Sequence, residues 1–227
     1  MRSLLLSSVL SLLLVSTLPA QTKTIADRLG HPAGSKLLII HADDLGAAHS
    51  INAASFEALD RGDISSASAM VPTPWITEVA AYAKSRPNAD LGLHLTITSE
   101  WETYRWGSVE SADKVPSLLD SAGTFPKQVA PVAARAKPAE VERELRAQID
   151  RAVALGIRPT HLDSHMGALF STPGLIATYV KVARDYGLPF LALRGDRRAR
   201  PQPPLSENDI LLDTVIIAGP EIGRAHV

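Results

Sequence analysis

The 227-residue chain has no cysteine, so it forms no disulfides, carries no lipid-bearing cysteine, and must build any metal site from histidine and carboxylates. It also lacks a charge bias. Its 23 Lys and Arg face 24 Asp and Glu, a formal net charge of −1, with no sustained run of either sign. A basic excess that would suit nucleic acid is therefore missing. Only one long apolar stretch occurs, Leu4 to Leu18, behind Arg2 and ahead of Pro19-Ala20. It is shorter than the roughly 20 residues a membrane span needs. Residues 1–20 have the layout of a secretory signal peptide, which predicts cleavage after Ala20, export to the periplasm or the exterior, and no stable membrane insertion afterwards.

What remains is ordinary globular material, 45% hydrophobic and 21% charged, enough for one sizeable α/β domain. After a polar leader (21–35), Lys36 to Gly46 reads Lys-Leu-Leu-Ile-Ile-His-Ala-Asp-Asp-Leu-Gly. Leu37 to Ile40 is patterned as a strand buried on both faces, running to His41 and stopping at two adjacent carboxylates, Asp43 and Asp44. Neighbouring like charges repel, so such a pair suits a site where a cation neutralises one and the other works as a base. The alternative is that both cap the following helix.

Helices are expected over 51–59 (closed by Gly62), 76–84 (stopped at Arg86-Pro87), 138 to Gly156 and 173–186. The third is the clearest, with Val141, Leu145, Ile149, Ala152 and Val153 as its apolar stripe. Strands are expected over 66–71, 91–98, 160–165, 190–193 and 213–218. Ser99 to Lys137 has weak periodicity and reads as a long loop carrying Trp101, Tyr104 and Trp106. Alternation of strands with long helices implies a parallel sheet with right-handed crossovers, whose functional groups gather at the strands' C-terminal ends.

The Asp pair, His94 and His165 all sit near such ends. One carboxylate with two imidazoles is a three-ligand set for a divalent ion that keeps a position open for water. His94 taken alone also suits a core histidine bonded to a carbonyl. His161, four residues before His165, raises a helical metal pair, but Pro159 and the β-like Thr-His-Leu-Asp-Ser oppose a helix. His165 is the expected ligand, His161 a buried structural residue, and Asp163 a carboxylate that orients a ligand imidazole from behind.

His-Ala-Asp-Asp-Leu-Gly (41–46), Gly-Leu-His-Leu-Thr (92–96) and Thr-His-Leu-Asp-Ser-His (160–165), in this order, resemble the YdjC-like carbohydrate deacetylases, also called the chitooligosaccharide deacetylase and hopanoid-associated (ChbG/HpnK) family. The resemblance spans Lys36 to Arg194. It implies an irregular (β/α) barrel over 36–220, a divalent ion (Mg2+ or Zn2+, with Mn2+ or Co2+ as further options) on Asp44, His94 and His165, and Asp43 as general base. The implied reaction is metal-assisted removal of acetyl groups from amino sugars or oligosaccharides. Tyr104 and Trp106 are candidates to stack on sugar rings, or to anchor their loop, and Arg194 is a further candidate for substrate contact.

Two features depart from the family pattern. The third motif continues Met166-Gly167 instead of reaching a further histidine, and no His-Pro-Gly-like motif, a candidate source of the general acid, follows. The barrel is accordingly expected to be incomplete at its C-terminus. Glu221 to Val227 back-translates to a sequencing-adapter read and is expected to be non-native. Rival readings are a metal-dependent phosphoesterase or sugar isomerase on a similar barrel, or an exported carbohydrate-binding module without catalysis. A phosphate substrate would call for a basic cluster, and the one present is Arg194 to Arg200.

Overall fold

The structure, a computed structural model, describes residues 24–32, 34–192 and 215–216. The expected signal peptide (1–20), Arg194 and the tail 221–227 lie outside the described residues, as does all but Val215 and Ile216 of the expected strand 213–218. The chain forms two compact units, 1–37 and 38–227. In the first, a one-turn helix α1 (Ile25–Arg28) is closed by a capping box: the Thr24 hydroxyl accepts from the Asp27 N–H while the Asp27 carboxylate accepts from the Thr24 N–H.

The second unit is an α/β domain around a parallel sheet of four strands in the order β1-β2-β3-β4: His41–Leu45, Ser66–Ala69, Leu91–Leu95 and Leu162–Ser164. Helices α2 (His49–Arg61) and α3 (Ile76–Ser85) make the first two crossovers. The third runs through α4 (Val129–Arg135) and α5 (Pro138–Ala154), and α6 (Pro173–Asp185) follows β4. Strand β3 is buried on both faces, as the pattern of an inner parallel strand requires. Phe190 adds a single parallel bridge to Leu162, so the expected strand 190–193 is reduced to one residue pair among those described. Among the described residues the sheet does not close, and no helix is long and apolar enough to cross a membrane.

Strand β1 begins where its apolar run ends. Leu37, Leu38, Ile39 and Ile40 are exposed, Leu38 by 81%, instead of forming a buried strand. The neighbour strand β2 starts only at Ser66, which pairs with His41, so the preceding residues project past its end. The ladder extends backwards only at Ile40, whose carbonyl accepts from the Ser65 and Ser66 N–H groups. An apolar run thus marked a strand's neighbourhood and missed its register.

Helix α5 buries Val141, Leu145, Ile149 and Ala152 completely, whereas Val153 is 55% exposed. At 100° per residue Val153 stands about 120° around the helix from Val141, beyond the stripe's edge. The next row, Glu140, Glu144 and Gln148, is polar and also buried, because it receives the long segment that precedes α4. Glu140 accepts from the Ser117 N–H, and Glu144 from the Val109 and Glu110 N–H groups. Gln148 exchanges two hydrogen bonds with the Thr96 backbone. Burial outweighs these donors and pushes the Glu144 carboxyl up to about 7. The segment 99–137 is therefore a pinned cover with two 3-10 turns and a short helix, not an open loop.

Candidate metal centre

The first group comes from a break in β1. Its pairing runs His41↔Ser66 and Ala42↔Ala67, then resumes at Leu45↔Ala69, so β1 carries one extra residue. Asp44 sits in this bulge with φ 61°, a left-handed conformation that Asp tolerates better than most residues. In a regular strand Asp43 and Asp44 would face opposite sides. Here both approach His94 Nε2, Asp44 Oδ1 at 3.4 Å and Asp43 Oδ2 at 3.9 Å. The turn after them is clamped. Asn52 accepts from the Gly46 N–H at 2.7 Å and donates to the Trp75 carbonyl and Glu78.

His94 lies on the inward face of β3 and is buried. Its Nδ1 lies 2.6 Å from Asp163 Oδ1, on the neighbouring strand at the register position directly opposite. Asp163 is held in turn by the Ser68 hydroxyl at 2.9 Å and approached by His41 Nε2 at 3.3 Å. Burial alone would raise the Asp163 carboxyl. The adjacent His94 charge and the His41 and His94 hydrogen bonds outweigh it and hold this group well below the usual carboxylate range.

His165 follows the last residue of β4 and opens a 3-10 turn in which Met166 and Gly167 both adopt positive φ. Its ring is buried between two carboxylates: Nδ1 is 3.1 Å from Asp44 Oδ1 and Nε2 is 2.9 Å from Glu100 Oε2. Trp106 closes a side of the pocket, its ring centroid 6.3 Å from that of His165. Burial would lower the imidazole, but Asp44 and Glu100 push it up to about 9.

Asp44, His94 and His165 each bring one ligand atom within 4.8 Å of the others. Asp44 Oδ1 is buried and receives no hydrogen bond, although His165 Nδ1 lies 3.1 Å and His94 Nε2 3.4 Å away. Burial, which would raise the Asp44 carboxyl, is outweighed by the nearby His165 and His94 rings, so it stays ionised. Four carboxylates (Asp43, Asp44, Glu100 and Asp163) thus surround two imidazoles. The group is short of positive charge and its acceptor oxygen lacks a partner, which fits a divalent cation.

Other expected residues take different places. His161 is half-buried, not buried, and turns away to Thr160 and Asp90. Trp106 is only 3% exposed. Its indole N–H donates to the Thr98 carbonyl and its backbone N–H to Ser99 Oγ, so it anchors its segment and offers no open face to a sugar. Tyr104 is half-buried against Trp101, their ring centroids 5.7 Å apart. Glu100, Ser68 and His41 reach the site without having been singled out. His41 had a usable signal, since two residues before Asp43 in a strand is the same face.

A parallel α/β sheet with a carboxylate and two histidines converging at its strand ends defines a candidate metal-binding α/β domain. The chain belongs to the YdjC-like protein family, whose sequence model matches residues 37–216. A carbohydrate deacetylase of Thermus thermophilus is 40% identical over 164 residues, covering 72% of this chain and 56% of that protein. A chitooligosaccharide deacetylase of Serratia marcescens is 30% identical over 168 residues, covering 73% of this chain and 62% of the relative. A crystal structure from Enterococcus faecalis, of a protein named provisionally for cellobiose-phosphate cleavage, superposes with a TM-score of 0.64. It is 31% identical, over 71% of this chain and 60% of that one. The chain therefore spans a little over half the length of the relatives it matches.

Proposed function

We propose that this chain carries the metal-binding side of a hydrolase that removes acetyl groups from amino sugars or oligosaccharides. The observation that carries the reading is the convergence of Asp44, His94 and His165 beside a second, open carboxylate, Asp43. Relatives named carbohydrate deacetylase supply the substrate class.

Asp44, His94 and His165 would hold one divalent ion, with Zn2+, Mg2+, Mn2+ or Co2+ compatible with the donor set. Such an ion, when bound, supplies Lewis-acid activation of water and of the acyl oxygen. Asp163 holds the His94 ring by its Nδ1. Asp43, with a side chain 63% exposed, stays available to solvent and substrate. In this reading it accepts a proton from the attacking water as the water oxygen bonds to the acyl carbon. The carbon–nitrogen bond then breaks as the sugar nitrogen takes up the proton that Asp43 accepted, and acetate is released. Trp106 excludes water from the far side of His165 without touching substrate.

Acetate release from N-acetylated chitooligosaccharides, with and without a chelator, tests this function. Chelator-sensitive acetate supports it, whereas release of phosphate from sugar phosphates with no acetate would replace it. We also propose export, supported by the Leu4–Leu18 run and Pro19-Ala20. Mass spectrometry of the protein from its native host should find Gln21 at the N-terminus, and an intact Met1 in the cytoplasm would refute it.

A further inference from the structure

His94 and His165 present opposite ring nitrogens to the candidate centre. His94 turns Nε2 toward Asp44 and gives Nδ1 to Asp163. His165 turns Nδ1 toward Asp44 and gives Nε2 to Glu100, at 2.9 Å. A neutral imidazole carries one N–H, and the nitrogen bearing it cannot also offer a lone pair to a cation. An ionised carboxylate only accepts, so a ring nitrogen hydrogen-bonded to one must hold the hydrogen. Glu100 and Asp163 make such bonds, whereas Asp44 Oδ1 makes none. Glu100 therefore selects for His165 the tautomer opposite to the one Asp163 selects for His94.

We propose that Glu100 is a positioning residue of the metal centre, holding His165 as its Nε2–H form so that Nδ1 faces the ion. This rests on Asp44, His94 and His165 being metal ligands. The cover segment is built to hold Glu100 in place. The Ser99 N–H donates to the Pro126 carbonyl at 2.8 Å, and Ser99 Oγ accepts from the Trp106 N–H at 3.0 Å. The Trp106 indole N–H donates to the Thr98 carbonyl, so both residues ahead of Glu100 are tied to Trp106, whose buried ring also packs against His165. Asp163 supports its histidine from inside a strand; Glu100 does so from the cover, which makes ordering of that cover a condition for tight metal binding.

The test uses the full chain, Zn2+ as the probe, competition with a chromophoric chelator, and nitrogen-15 NMR of the His165 ring. Glu100→Ala should weaken Zn2+ binding by about 10–100-fold. Its Zn2+-loaded form should show faster solvent exchange of the His165 Nε2 hydrogen. Glu100→Gln, whose amide oxygen still accepts, should keep that hydrogen and fall between wild type and Glu100→Ala. Because circular dichroism reports folding separately, the milder variant carries the test where the alanine variant unfolds. Affinity within about twofold of wild type in a folded variant, or His165 binding Zn2+ through Nε2, overturns the role of Glu100 alone. Failure of the wild type to bind Zn2+ overturns the ligand assignment beneath it.

Discussion

Asp163 Oδ1 stands 2.6 Å from His94 Nδ1, across a register pair of β3 and β4. The contact links fold to chemistry, because the same strand pairing that builds the sheet fixes the imidazole's orientation. Asp163→Asn should lower Zn2+ affinity about 10–100-fold and cost about 1–3 kcal/mol of stability. The folded carboxyl is depressed, so its contribution is complete above the unfolded value of about 3.9 and is lost as pH falls through the lower folded value. Denaturant melts should show a constant gap between wild type and variant from pH 5 to 8, narrowing only in strong acid.

His165 makes the opposite pH statement. In the metal-free chain its proton is held up to about 9, against an ordinary 6.5. The stability this adds is complete below 6.5 and is lost as pH rises through about 9, so metal-free melts should soften over that window. A metal must displace the same proton. Zn2+ affinity should rise with pH toward 9, by up to about tenfold per unit, and calorimetry at pH 7 in buffers of different ionisation enthalpy should record about one proton released.

Gly46 follows the bulge and holds φ +95°, and an added Cβ would lie 2.7 Å from Thr73 Oγ1 and 3.2 Å from the Met70 carbonyl. Backbone strain and crowding act together there. Gly46→Ala should cost about 1–3 kcal/mol and reduce metal affinity by displacing Asp44. A thermal melt unchanged from wild type would show that the turn relaxes freely.

Much of the site was legible because strand ends, residue type and alternation can be read along one chain. Asp44, His94 and His165 are metal-ligating residue types near the ends of three expected strands, and Asp163 lies two residues before His165, which is why they stood out. The bulge that turns Asp43 and Asp44 toward one histidine was not legible, since it exists only as a mismatch between two strands' registers. Leu37–Ile40 misled for a related reason: hydrophobicity carries no record of where the neighbouring strand begins. Glu100 was hidden by the cover's fold. Nothing in a weakly periodic stretch shows that it is pinned to α5 by Glu140 and Glu144, and so returns to the site.

The most direct measurement is metal content of the folded chain after exchange into Zn2+ and removal of excess ion, compared across Asp43→Asn, Asp44→Asn and His94→Ala. One ion per chain is predicted in the wild type and in Asp43→Asn, with affinity reduced at least about tenfold in the other two. Full Zn2+ occupancy in folded Asp44→Asn or His94→Ala, or its loss in Asp43→Asn alone, would contradict the site.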